Sequence, residues 1–173
     1  LNDYLRRNGK EDLLPMIAPP KVKLHYVVQS SYGKYGTSIP VALAYEAMEK
    51  PDESVVVLMG DDCIYNADGS SEVANLLEQT PEGECAMLGV EVPREDVSRY
   101  GVIAMNDQQE FVSIVEKPSQ EVSPSNLINV SKYVLNPTAL AAVCAHAASE
   151  QTGEYYITDP INHVVAEGTR LKV

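Results

Sequence analysis

The chain has 173 residues, a length that suits one domain with a single hydrophobic core. Lys and Arg together number 13 against 25 Asp and Glu, and the formal net charge of -12 argues against broad electrostatic binding to nucleic acid or to an anionic membrane. No apolar run approaches the roughly 18 residues of a membrane span. The cysteines Cys63, Cys85 and Cys144 lie far apart, which indicates neither a disulfide framework nor a zinc site. We therefore expect reduced thiols in a cytoplasmic protein.

Strands and helices alternate along the sequence. In the first half we predict a helix over 1–7, a Pro-rich connector over 14–20, a strand over 22–28, a Gly- and Ser-rich segment over 30–38, a helix over 39–50 and a buried strand over 54–59. We then predict a helix over 70–78 capped by Ser70 or Ser71, a buried strand over 84–92, and strands over 101–105, 110–115 and 126–135. Two helices follow, over 137–148 and 158–167, the second capped by Thr158 and ended by Gly168. This alternation predicts an α/β protein with a mainly parallel central sheet, and the strands clustered after residue 100 predict a small antiparallel addition. Ligands of such sheets bind beyond the carboxyl ends of the strands.

The acidic pair Asp61 and Asp62 follows Gly60 at the end of a predicted buried strand. A glycine lets another group approach the backbone closely, and two carboxylates are hard ligands for Mg²⁺, which prefers one or two carboxylates plus substrate phosphates. An ordinary loop in which an aspartate caps the next turn explains the same residues equally well.

Three further segments carry polar groups at predicted strand ends. The amide of Gln29 matches the imide edge of a uracil or thymine ring, and Gly36 lets the backbone approach a flat base. Glu116 and Lys117 present a carboxylate for sugar hydroxyls and a point charge for phosphate, with Pro118 expected to keep Lys117 extended. Gly101, at a strand start, permits backbone contact with a ligand hydroxyl. Taken singly, each segment is better explained as a flexible loop, a solvated ion pair or a turn.

Several catalytic classes lack their motifs. The sequence contains no GxSxG, HExxH, GxGxxG or Walker-type phosphate loop, and no basic aromatic patch for RNA. The three histidines have no partner at metal or triad spacing. Nothing here predicts a nucleophilic side chain.

Taken together, the segments resemble the bacterial UTP–glucose-1-phosphate uridylyltransferases, within the sugar-1-phosphate nucleotidyltransferase family. The resemblance covers about 22–168 and is most specific in EDVSRYGV, VEKP and SPSNL, at 95–102, 115–118 and 123–127. It implies a Rossmann-like, doubly wound α/β/α fold, here truncated at both ends. It also implies synthesis of UDP-glucose and pyrophosphate from UTP and glucose 1-phosphate with Mg²⁺.

The resemblance also implies roles for individual residues. Gln29 would read the uracil edge and Gly36 would lie against the base. The expected catalytic residues are Asp61, as a magnesium ligand with Asp62 beside it, and Lys117, which would pair with the sugar-linked phosphate. Gly101 and Glu116 would hold glucose hydroxyls. Homo-oligomers are expected of the full-length protein, with neither nucleic acid nor membrane as a partner.

The sequence departs from the family pattern in several places. The glycine-rich GxGTR loop that cradles the triphosphate does not occur, nor does the second metal-binding aspartate. Asn129 and Ser131 stand where the family has an apolar and a small residue, and Ser38-Ile39-Pro40 replaces a more usual Gly/Ala-His-Ala. We therefore expect 1–173 to be the central part of a single catalytic domain and to be inactive alone.

Three alternatives remain open at this stage. Gln29 does not distinguish uracil from thymine, so a thymidylyltransferase or another sugar-1-phosphate nucleotidyltransferase fits the same motifs. The absent loop is also compatible with a non-catalytic sugar-nucleotide-binding protein of the same fold. A structural domain without any ligand is the third possibility.

Overall fold

The computed structural model describes residues 2–17, 23–30, 32–49 and 52–173. Its helices are α1 (Asn2–Arg7), α2 (Leu14–Ile17), α3 (Ser38–Ala47), α4 (Glu72–Gln79), α5 (Pro137–Ala148) and α6 (Thr158–Ala166), with 3-10 helices at Glu11–Leu13 and Arg94–Arg99. Its strands are β1 (Val55–Leu58), β2 (Cys85–Glu91), β3 (Gly101–Met105), β4 (Phe111–Glu116), β5 (Leu127–Leu135) and β6 (Leu171–Lys172). Within these residues no helix is both long and apolar enough to cross a membrane.

Most predicted elements are found within two or three residues of their expected ends, and two predictions are wrong. The strand expected over 22–28 is absent where the structure describes it: residues 23–28 have no regular structure and are exposed. Part of the expected connector is the short helix α2. Residues 18–22 lie outside the described part.

The α/β prediction is confirmed, but the sheet is mostly antiparallel and the expected parallel sheet is wrong. The strand order is β4-β3-β5-β2-β6, with β1 also paired to β5. Among the described strands only β2 and β6 pair in parallel, whereas β5 is antiparallel to β1, β2 and β3. The helix between β1 and β2 suggested adjacent parallel strands. The two do run in the same direction, but β5 lies between them.

The side-chain alternation of the strands divides the core into two layers. Cys85 and Met87 of β2 face a large cluster formed with α3, α5 and α6, while Ala86 between them faces Leu76 of α4. A third cluster packs the 3-10 helix 94–99 against β3 and β5 through Val97. The sheet is thus covered on both faces, and its strand ends remain open for a site.

Of the two helix caps predicted from the sequence, one is confirmed. Ser71 caps α4 by accepting a hydrogen bond from Ala74 N. A further cap, which was not predicted, is Asn136, which caps α5 through Ala139 N at 2.9 Å. The expected Thr158 cap is wrong. Thr158 is the first residue of α6 after Ile157, and its hydroxyl is used elsewhere.

Candidate functional site

A cleft of about 330 Å³ lies where β1, β4 and the irregular part of β5 meet the start of α6. Five of the seven site residues predicted from sequence line it: Asp61, Asp62, Gly101, Glu116 and Lys117. Three larger grooves, of 370, 380 and 470 Å³, are lined by none of the seven. The convergence of chemically suitable side chains, rather than size, identifies this cleft as the candidate site.

The acidic side of the cleft is the loop after β1. Asp61 and Asp62 are exposed there, and no hydrogen bond from the described residues reaches their carboxylates. No group of three or more His, Cys, Asp and Glu side chains in the described segments could hold a metal. Two exposed carboxylates are hard oxygen ligands of the kind that a divalent cation binds together with substrate phosphates.

The opposite side is built by the β3–β4 hairpin, in which Gly101 pairs with Glu116. A Cβ at Gly101 would lie 3.0 Å from Glu116 Oε1, so the carboxylate occupies the space that a side chain would fill. The hydroxyl of Thr158 donates a hydrogen bond to the same oxygen at 2.8 Å. Thr158 thus fixes one oxygen of Glu116, and no hydrogen bond from the described residues reaches the other oxygen, which can accept one.

Lys117 ends the hairpin in an unexpected conformation. Its φ is 46°, in the left-handed region, and its N–H donates to Tyr100 O at 2.9 Å. The expectation that Pro118 keeps Lys117 extended is wrong, because φ is positive; the hydrogen bond to Tyr100 O lies just beyond the Gly101–Glu116 pair, at the open end of the hairpin. Non-glycine residues in this region cost free energy and are concentrated at functional sites.

Gln29 and Gly36 do not line the cleft. Gln29 lies in the exposed irregular segment. Gly36, with φ 118°, packs against the backbone of Tyr155: a Cβ there would lie 2.5 Å from Tyr155 N. Tyr155 N donates to Tyr35 O and Ser38 N donates to Tyr155 O, both at 2.9 Å. This close approach of two backbone segments is a packing reason for Gly36 that the sequence did not show.

Sequence reasoning missed several residues of the cleft. They share polar groups or backbone positions facing its interior, and they are Thr37, Arg99, Tyr100, Asn129, Ser131, Tyr133, Tyr156, Ile157 and Thr158. Two features of the sequence could have pointed to four of these residues. Arg99 and Tyr100 lie in the SRYG segment, and Asn129 and Ser131 depart from the family pattern. The Thr158 hydroxyl had been assigned to a helix cap.

The charges of the cleft nearly balance. Three carboxylates (Asp61, Asp62, Glu116) face two cations, Arg99 and Lys117. A phosphate chain entering this site would meet net negative charge unless a divalent cation entered with it.

Comparison with known proteins decides the family. The family model described as nucleotidyl transferase matches residues 1–172. The chain belongs to this family. It is 30% identical over 167 residues to UTP--glucose-1-phosphate uridylyltransferase 1 of Streptococcus pyogenes serotype M1, covering 91% of this chain and 53% of that protein. The chain thus spans about half the length of the curated relatives that it matches.

Solved structures agree with this nucleotidyl transferase assignment. An apo UDP-glucose pyrophosphorylase superposes with a TM-score of 0.75 at 25% identity, over 98% of this chain and 63% of that one. A UDP-glucose pyrophosphorylase complexed with UDP-glucose superposes with a TM-score of 0.71 at 24% identity, over 97% and 61% of the two chains. The second likeness supports the fold alone.

Proposed function

We propose that the full-length protein is a UTP–glucose-1-phosphate uridylyltransferase, which forms UDP-glucose and pyrophosphate with Mg²⁺. The chain described above is then the central part of its catalytic domain. The observation that carries the proposal is the meeting of Asp61, Asp62, Gly101, Glu116 and Lys117 in one cleft. The family, and the activity for which the similar proteins are named, support it.

In this proposal the chain binds and orients substrates. The Glu116 carboxylate accepts hydrogen bonds from glucose hydroxyls, and the Gly101 backbone also contacts them. Lys117 pairs with the sugar-linked phosphate. Asp61, with Asp62 beside it, would hold Mg²⁺, which neutralises phosphate charge when bound. Gln29 would read the uracil edge and Gly36 would lie near the base. A phosphate oxygen of the sugar attacks the α-phosphorus of UTP and pyrophosphate leaves, so positioning and charge neutralisation replace a nucleophilic side chain.

The test is release of pyrophosphate by the full-length protein from UTP plus glucose 1-phosphate with Mg²⁺. Lys117→Met should raise the KM for glucose 1-phosphate about tenfold or more, because a charge-assisted hydrogen bond contributes about 1.5–3 kcal/mol. Lys172→Met, which removes an exposed lysine bonded to Gln79 O, is the matched control and should be near wild type. Asp61→Asn should lower kcat sharply, and Asp52→Asn, an exposed aspartate outside the cleft, should not.

Absence of turnover with any nucleoside triphosphate would refute the enzymatic proposal and favour a non-catalytic sugar-nucleotide-binding protein. Preference for dTTP in direct competition with UTP would make it a thymidylyltransferase. We further propose a cytoplasmic location and a homo-oligomer, which fractionation and light scattering of the full-length protein would test.

A further inference from the structure

Lys132 of β5 carries a charge that is almost completely buried. The residue is only 5% exposed, and its ammonium group donates to Met59 O at 3.0 Å and to Val130 O at 3.1 Å. Burying an ammonium group is costly unless hydrogen bonds compensate it. Lys132 is not among the residues that line the cleft, although Ser131 and Tyr133 on either side of it are. The side chain thus contacts Met59, two residues before Asp61 of the cleft, without lining the cleft itself.

An irregularity in β5 places the lysine there. Met87 of β2 pairs with Tyr133, but Gly89 pairs with Asn129, so β5 carries two extra residues between these pairs. Ser131, in the middle, has φ 54°. Asn129 supports the bulge, because its Oδ1 accepts from Ser131 N at 2.9 Å and its Nδ2 donates to the Tyr133 hydroxyl at 2.6 Å. Such bulges redirect side chains and are common beside active sites.

Two bulge residues, Ser131 and Lys132, bind the backbone N–H and C=O of Met59, the residue that follows β1. Met59 N donates to Ser131 O at 3.1 Å, and Met59 O accepts from Lys132. Gly60 follows, with no atom near the position of a Cβ, and then Asp61 and Asp62, whose carboxylates have no hydrogen bond to described residues. Among the described contacts, Met59 is thus the last anchored point before the acidic loop.

We propose that Lys132 is a positioning residue for the Asp61–Asp62 loop, and that it fixes the carbonyl end of β1 so that these carboxylates can hold a divalent cation. The inference rests on the proposed function for the role of Asp61. A lysine that merely closed an irregular strand would affect stability and all ligands alike. A positioning lysine affects the part of nucleotide binding that depends on the metal.

The experiment compares Mn²⁺-dependent and metal-free UTP binding by the full-length protein. Water-proton relaxation reports binding of the Mn²⁺–UTP complex, and calorimetry in EDTA reports binding of UTP alone. Lys132→Met removes charge and donors at similar length, Lys132→Gln keeps a neutral donor, and Lys172→Met is the matched control far from the cleft. Circular dichroism and thermal unfolding report whether each variant is folded.

For Lys132→Met, which loses the hydrogen bond to Met59 O, we expect binding of Mn²⁺–UTP to be about tenfold weaker, which corresponds to about 1.4 kcal/mol. Binding of metal-free UTP should stay within about twofold of wild type. Lys132→Gln should lie between, and Lys172→Met should match wild type. The proposal would be overturned if Mn²⁺–UTP binding and metal-free UTP binding weakened equally, or if Mn²⁺–UTP binding did not change. It would also be overturned if neither Lys132 variant folded. If wild type binds Mn²⁺–UTP but releases no pyrophosphate, the proposed function fails while this comparison still stands.

Discussion

Replacing Gly36 with alanine should destabilise the protein more than the same replacement at Gly33. The two glycines have nearly the same positive φ, 118° and 121°, so an alanine meets a comparable φ strain at both. Their surroundings differ. A Cβ at Gly36 would lie 2.5 and 2.6 Å from the N and O atoms of Tyr155, whereas one at Gly33 meets nothing within 4 Å.

The difference between the two variants can be estimated from the hydrogen bonds that must shift. Strain at an unfavourable φ costs about 1–3 kcal/mol and is common to both variants. At Gly36 the rigid Tyr155 backbone must also move, which breaks its hydrogen bonds with Tyr35 O and Ser38 N. At about 0.5–1.5 kcal/mol each, they add about 1–3 kcal/mol for Gly36→Ala alone.

Urea unfolding followed by circular dichroism measures this difference at constant m-value. We expect the free energy of unfolding to be lower in Gly36→Ala than in Gly33→Ala by about 1–3 kcal/mol. Equal values for the two variants would refute the packing argument and leave base contact as the reason for glycine at this position.

Three further predictions follow from side chains. In the full-length protein, with the activity proposed above, Thr158→Val should raise the KM for glucose 1-phosphate about tenfold by freeing Glu116, whereas Thr158→Ser, which keeps the hydroxyl, should not. Steady-state kinetics at saturating UTP measures this. Asn136→Ala should lower the free energy of unfolding by about 1–3 kcal/mol, because it removes two hydrogen bonds of a buried side chain: the α5 cap and the bond from Asn136 Nδ2 to Gly83 O at 2.8 Å. Urea unfolding measures the loss. Burial raises the pKa of the Tyr133 phenol, so as the pH rises the phenol ionises in the unfolded chain before it does in the folded protein. The free energy of unfolding should therefore fall as the pH rises above about 10. Tyr133→Phe should show a smaller fall in the urea midpoint between about pH 9 and pH 11.

The local sequence predicted the elements better than their arrangement. Pro137 after Asn136 located the start of α5, and Gly101 located the start of β3, because caps and chain conformation are encoded by neighbouring residues. Strand direction depends on which strands pair over long separations. The position of β5 between β1 and β2 has no local signature, and the parallel sheet was therefore wrongly expected.

The site divides in the same way. Asp61, Glu116 and Lys117 could be found because each stands at the end of an apolar run, where a side chain leaves the core. Thr158 could not, because its bond to Glu116 joins residues brought together only by the packing of α6 against β4. The segment 22–28 misled for a related reason: β-branched composition favours a strand only when a neighbouring strand pairs with it, and residues 23–28 have no such neighbour among the described strands.

The place of β5 in the sheet also affects the order in which the protein can fold. During synthesis β1, β2 and β3 leave the ribosome before β5, the strand with which all three pair. Because β1 pairs with β5 alone among the described strands, its apolar residues and the acidic loop behind them stay without a partner until the chain has been made past Leu135. We expect nascent chains halted before β5 to expose these strand edges and to need chaperones, and chains halted after α5 to be the first that resist proteolysis.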